Sequence, residues 1–225
     1  MKRKLQTAGK ATSIVCMAVV VMFLSFGATR AGATVATTPP SSQMLTFLKS
    51  VMPGKSTAEL KALASNPKFV AAASQVASVN ETQSPFVVNK TMMTSAARTV
   101  LCGSATQEYK ARGLFGTLFS LTFTDHACWD GNTVTSSSWH SSDVVPNVTT
   151  YGGLAGWAWT GEYKRADNYY YSLNGHHNGG HFAGIYHEFQ RCIGGKIGQC
   201  ISQKFIDNVI KIHYGGTWLF EGGLR

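Results

Sequence analysis

The residues best equipped for chemistry crowd into Asn174-Gly175-His176-His177-Asn178-Gly179-Gly180-His181, with His187 and Glu188 close behind. Neutral imidazoles offer ring-nitrogen lone pairs to zinc, copper or nickel near pH 7. Gly179 and Gly180 would let the chain curl so that His177 and His181 converge, with His187 arriving from a following strand. In a regular strand Glu188 points away from His187 and makes a poor partner for it. The helical H-E-x-x-H spacing of zinc proteases does not occur here. The plainer reading is a polar, glycine-rich surface loop that happens to carry histidines, with no metal and no cofactor.

Carboxylates offer a second chemistry. Two of them can hydrolyse a glycosidic bond when they face each other roughly 5 to 9.5 Å apart, one protonated and one ionised. The candidates are Asp125, Asp130, Glu162, Asp167 and Glu188. Asp130 is better explained by a turn, and Glu162 and Asp167 by a solvated loop around Lys164-Arg165. Nucleophile signals are weak. The chain has no G-x-S-x-G elbow, and Ser136-Ser137-Ser138-Trp139-His140-Ser141-Ser142 reads as ordinary loop composition.

Aromatic side chains support a binding chemistry. Trp139, Tyr151, Trp157, Trp159, Tyr169, Tyr170, Tyr171 and Trp218 are spread through a glycine-rich region. Flat rings exposed on a β face stack on the apolar faces of sugars or bury well in a protein partner. Trp157 and Trp159 are the leading pair, because i,i+2 spacing puts both on one face of a strand. Trp139, Tyr169 and Tyr171 extend the candidate binding set. The competing expectation is that these rings line the core beside glycines that leave them room.

The elements that would position these residues are mostly short strands. Phe119, Leu121 and Phe123 alternate with Ser120, Thr122 and Thr124, the period of a half-buried strand. Asp130-Gly131 marks a hairpin that would pair Phe119–Trp129 with Asn132–Trp139. Tyr151–Thr160, Tyr169-Tyr170-Tyr171, Phe182–Arg191 and Phe205–Tyr214 read as further strands, and Phe86-Val87-Val88 as an early one. Upstream, Gln43–Met52 reads as a helix. Ser56-Thr57-Ala58-Glu59 has the form of a capping box, and alanine-rich Lys68–Val79 reads as another helix. Asn80–Ala97 reads as linker. The fold expected is mainly β, an antiparallel β-sandwich or small barrel preceded by short helices. Its divisions are a leader over 1–33, a lead-in with short helices and linker over 34–95, and a disulfide-containing β domain over 96–225.

The leader has a basic start, an apolar run from Ile14 to Phe26, and Ala31-Gly32-Ala33, the three parts of a secretory signal peptide. Cleavage is expected after Ala33, with Ala28 and Ala31 as alternatives. An uncleaved anchor would want about 20 apolar residues, more than the unbroken run supplies. Removing the leader takes five of the 20 basic residues and none of the 11 acids, so the mature net charge falls from +9 to +4. After the leader no basic cluster is longer than Lys164-Arg165, which argues against a nucleic-acid groove.

Four cysteines remain, Cys102, Cys128, Cys192 and Cys200, and in an oxidising compartment an even number suggests two bridges. The glycine-containing segment between Cys192 and Cys200 can fold back on itself, which leaves Cys102 for Cys128 by elimination. A zinc site would need C-x₂₋₄-C halves that these spacings lack. Asn80-Glu81-Thr82, Asn89-Lys90-Thr91 and Asn147-Val148-Thr149 match the glycosylation acceptor pattern.

The resulting expectation is an exported, extracellular, non-catalytic β-sandwich module binding a cell-surface glycan or protein, with no nucleic acid and no membrane span after cleavage. An extracellular hydrolase using the 176–187 histidines is the alternative, and a secreted toxin or bacteriocin-like protein the third reading.

Overall fold

A computed structural model describes residues 42–84, 87–93, 99–192 and 200–225. The leader expected over 1–33 lies outside the described residues. Among the described residues no helix is long and apolar enough to cross a membrane.

Three short helices come first: α1 (Ser42–Val51), α2 (Thr57–Ser65) and α3 (Pro67–Ala73). The capping box forms as its spelling predicts, with the Glu59 N–H donating to Ser56 Oγ at 3.3 Å and the Ser56 N–H to Glu59 Oε2 at 2.8 Å. Asn66 then ends α2 and caps α3, accepting from the Lys68 and Phe69 N–H groups. The helix expected to run through Val79 stops at Ala73, where Ser74 Oγ turns back onto the Val70 and Ala71 carbonyls. Beyond it Ser78–Gln83 is a strand, β1, in the stretch read as helix end and linker. Its ladder to a long neighbour strand outweighs the local helix preference of an alanine-rich sequence.

Two antiparallel sheets pack face to face as a β-sandwich, each built from one continuous stretch of chain. The first contains β1, β2 (Val87–Met93), β3 (Thr99–Gly113), β4 (Gly116–Trp129), β5 (Val134–Ser138) and β6 (Val144–Val148). β3 and β4 form its central hairpin, with Gly113 opposite Gly116. Asp130 closes the next turn, its carboxylate accepting from the Asn132 and Thr133 N–H groups at 2.9 and 2.7 Å. That hairpin is shorter than expected. β5 pairs only with His126–Trp129, and Phe119–Phe123 pair instead with β6.

A one-turn helix, α4 (Thr150–Leu154), leads into the second sheet and replaces the first half of the strand expected over Tyr151–Thr160. That sheet contains β7 (Trp157–Glu162), β8 (Asp167–Leu173), β9 (His176–Cys192), β10 (Cys200–His213) and β11 (Trp218–Leu224), in the order β11-β10-β9. β7 and β8 share the remaining edge of β9, one at each end.

Inward-facing Phe119, Leu121 and Phe123 of the first sheet meet Ile185, Phe189, Ile206 and Ile210 of the second. Phe119 stacks on Phe189 with ring centroids 4.4 Å apart. Gln107 ties the sheets together, its side-chain oxygen accepting from the Val209 N–H while the Asn208 amide donates to its carbonyl. Each disulfide stays within one sheet: Cys102–Cys128 joins facing residues of β3 and β4, and Cys192–Cys200 joins β9 to β10. Both expected pairings are therefore present. The helices cap one end of the core. Phe47 stacks on Tyr151 at 4.9 Å, the Tyr151 hydroxyl donates to the Ala73 carbonyl, and the Trp157 indole donates to the Ser74 carbonyl at 2.9 Å.

Candidate binding face and the buried acid–histidine pair

The histidine cluster is not a loop. Asn174-Gly175 forms a two-residue turn with both residues at positive φ, 52° and 80°, and His176 opens β9 directly opposite Leu173. Asparagine followed by glycine is the usual spelling of such a turn. His177, His181 and His187 therefore lie along one strand, with His177 and His187 roughly 33 Å apart at the strand rise. They cannot share a metal ion, and among the described residues no group of three metal-capable side chains comes together. His177 is exposed, whereas His181 and His187 point into the core.

His181 makes the most unusual contact in the interior. Its Nε2 lies 2.6 Å from Asn168 Oδ1, and its Nδ1 lies 3.8 Å from Asp125 Oδ2 across the sheet interface. Both side chains are fully buried. Burial pushes the Asp125 carboxyl up to about 7 against opposing hydrogen bonds from Ser137 and the backbone, and burial holds His181 down to about 4. Both shifts favour uncharged forms, so between about pH 4 and 7 this contact is a neutral acid facing a neutral imidazole rather than an ion pair. Ser137 donates to Asp125 and not to His181, so the serine has no adjacent base. Nucleophilic catalysis needs the opposite order, with histidine between serine and acid.

The other carboxylates are taken up locally. Asp167 pairs with Lys164 at 2.8 Å and accepts from the Tyr186 hydroxyl at 2.6 Å. Glu188 accepts from Gln190 and Thr160, Asp130 holds its turn, and Glu162 is exposed beside β9.

The aromatic candidates divide sharply. Trp157 is only 4% exposed, because the helical cap covers it and it packs on Phe119. Trp139 is half-buried against Phe123. Neither is the open ring that a surface ligand would stack on. The expected Trp157–Trp159 exposed pair is thus corrected: i,i+2 spacing sets a shared face, but the cap covers only one of the two. Trp159 is 45% exposed at the rim, stacked beside His187, and its indole N–H donates to His187 Nδ1 at 3.0 Å. That bond places the His187 proton on Nε2, a buried atom with no partner. Burial also lowers the His187 pKa, against a raising pull from Glu162.

Tyr169 and Tyr171 fall on the outer face of the second sheet, where aromatic rings of β8 and β9 lie side by side with Lys211 and Leu219 beyond them. Tyr169, Phe182, Lys211 and Leu219 are direct cross-strand neighbours over β8, β9, β10 and β11. Tyr169 is 50% exposed and stacks on Phe182 with centroids 4.9 Å apart and planes 10° apart. One step along the strands, the Tyr171 ring lies over Gly180, where a Cβ would overlap it. Phe182 and Tyr186 both lean over Gly184, and a Cβ there would sit 2.8 Å from Tyr186 Oη and 2.9 Å from Phe182 Cε1. Burial, followed by its hydrogen bond to Asp167, pushes the Tyr186 hydroxyl up to about 12.

Phe182 and Tyr186 were not among the candidates read from sequence. The signal was available in Gly180-x-Phe182-x-Gly184-x-Tyr186, a period-two run alternating glycine with rings. No known family, curated protein or solved structure matches the chain.

Proposed function

We propose that the protein is an exported, non-catalytic β-sandwich module that binds a glycan or protein of the cell surface. The observation that carries this reading is the outer face of the second sheet, where half-exposed Tyr169 stacks on Phe182 within a four-strand row. Export is inferred from the basic start, apolar run and small-residue site of the leader, and both disulfides suit an oxidising compartment. The hydrolase reading draws no support from Asp125, His181 and Ser137, because the acid and the histidine are enclosed between the sheets and the order of the three is wrong for catalysis.

Two measurements test the proposal. N-terminal sequencing of protein from culture medium should find a chain starting near Thr34; recovery only in membranes with Met1 or Arg3 intact would overturn the export half. Co-sedimentation with cell envelopes should retain the wild type and lose Tyr169→Ala. Equal retention of both, or of neither, sinks the binding half.

A further inference from the structure

We infer that the occupant of this face is an uncharged polysaccharide, bound with its sugar rings laid against Tyr169 and Tyr171, and that Phe182, stacked behind Tyr169 with Lys211 over its ring, holds Tyr169 in place. The inference rests on the binding-module reading and narrows it to one substrate class.

Ring attitude is the first argument. Tyr171 lies down over Gly180, and Phe182 leans along its own strand over Gly184. Both glycines are buried beneath these rings although they sit on the sheet's outer surface. Missing Cβ atoms at these two positions let aromatic rings rest against the backbone instead of projecting from it. Protein interfaces draw their energy from anchors that project into pockets. The Tyr171 ring laid on Gly180, and the Tyr169 face turned away from Phe182, suit a partner that is itself flat, rigid and lined with C–H groups, as the face of a pyranose ring is.

Charge is the second argument. The cations on this face already hold acids: Lys164 with Asp167 at 2.8 Å, Lys211 with Glu221 at 2.6 Å, and Arg225 with Asp207 at 2.7 Å. Glu188 adds a further acid to the same face. A polyanion needs clustered surplus basic charge to draw it in, and beside these paired cations the β7–β8 connection adds only Arg165. Sulfated, phosphorylated and uronic-acid polymers are therefore disfavoured.

Hydrogen-bonding capacity is the third. The Tyr169 and Tyr171 hydroxyls make no hydrogen bond among the described residues, on an exposed and a half-buried side chain respectively. Each can donate to and accept from a sugar hydroxyl, which gives a neutral ligand polar contacts beside the stack.

The experiment uses purified secreted protein with particulate cellulose, particulate chitin and soluble mannan as neutral probes, and polygalacturonate and heparin as polyanions. The wild type should bind at least one neutral polymer and hold it at high salt. Tyr169→Ala and Phe182→Ala should each weaken that binding about tenfold, the worth of one aromatic stack. Gly184→Ala keeps every ring but crowds Phe182 and Tyr186, and should weaken binding too. Leu114→Ser, exposed in the turn between β3 and β4, should change nothing. Thermal melts confirm that each variant is folded. Failure on all three neutral polymers, with protease-sensitive binding to envelopes retained, overturns the polysaccharide and leaves the binding module standing. Loss of envelope binding as well overturns both. Salt-sensitive binding to a polyanion, or a wild-type dimer that Tyr169→Ala dissolves, also overturns the inference.

Discussion

Strand β9 has two faces with opposite problems. Outward, Phe182 keeps part of its ring open to solvent beside half-exposed Tyr169, while Gly180, Gly184 and Tyr186 are buried beneath their neighbours and Lys164 and Lys211 are paired with acids. Inward, His181 and His187 are buried to 0% and 2% exposure, and each keeps one ring nitrogen without a hydrogen-bond partner. Apolar surface left outside costs free energy that a partner can return. A polar atom left unpaired inside carries a cost no partner can reach. The outer face is therefore where the proposed binding would act, and the inner one is where protonation of Asp125 and His181 is coupled to stability.

The comparison breaks most decisively at two phenylalanines of this strand. Phe189→Ala removes a fully buried ring stacked on Phe119 and should cost about 3 to 5 kcal/mol in urea unfolding. Phe182→Ala, on the other face, should cost less than about 1.5 kcal/mol while weakening the proposed polysaccharide binding about tenfold. Equal stability losses would mean that both faces are core and that the outer rings need no partner.

Next in size is the pH dependence of the buried pair. Asp125 has its folded pKa raised from 3.8 to about 7, so its contribution is complete below pH 3.8 and disappears as pH rises to about 7. His181 has its folded pKa lowered from 6.5 to about 4, so its contribution is complete above pH 6.5 and disappears as pH falls to about 4. The slopes oppose each other between about pH 4 and 6.5 and largely cancel in the wild type. Asp125→Asn should leave stability rising with pH across that window, and His181→Asn should leave it falling. Either slope is limited to about 1.4 kcal/mol per pH unit, the value for one proton. Denaturant melts at four pH values decide the matter, and slopes of the same sign in both variants would rule out a neutral pair. Asp143, the charged neighbour that raises Asp125, should be replaced by Asn in a control.

The smallest effect concerns the rim. Trp159→Phe keeps the ring but removes the donor to His187 Nδ1, and should cost about 1 kcal/mol. Without that donor the His187 pKa should rise, which an NMR titration of the ring protons reads directly. An unchanged titration would show that burial alone sets it.

Much of the architecture is legible locally. Phe119-x-Leu121-x-Phe123 announces β4, Ser56 and Glu59 announce the start of α2, and four cysteines of even parity announce two bridges. What escapes depends on residues distant in sequence. Ser78–Gln83 is a strand because β3 stands beside it, and its alanine-rich approach gives no hint of that. Trp157 and Trp159 obey the same alternation, yet Ser74, over 80 residues away, determines that only one is covered. The histidines resemble loop residues in composition, and only the backbone geometry of Asn174-Gly175 shows a two-residue turn that places them on a strand. Asp125 and His181 meet only through the stacking of two sheets, which no local pattern encodes.

The division of the sandwich into Ser78–Val148 and Trp157–Leu224 also bears on how the chain matures. Each sheet can zip from neighbouring hairpins, and each disulfide closes within its own sheet, so oxidation of one half does not wait for the other. During synthesis the first sheet leaves the ribosome complete before the second begins, with Phe119, Leu121 and Phe123 uncovered until their partners emerge. The interval between the two halves is the period of greatest risk for this protein, since an apolar sheet without its mate is a surface on which chains aggregate.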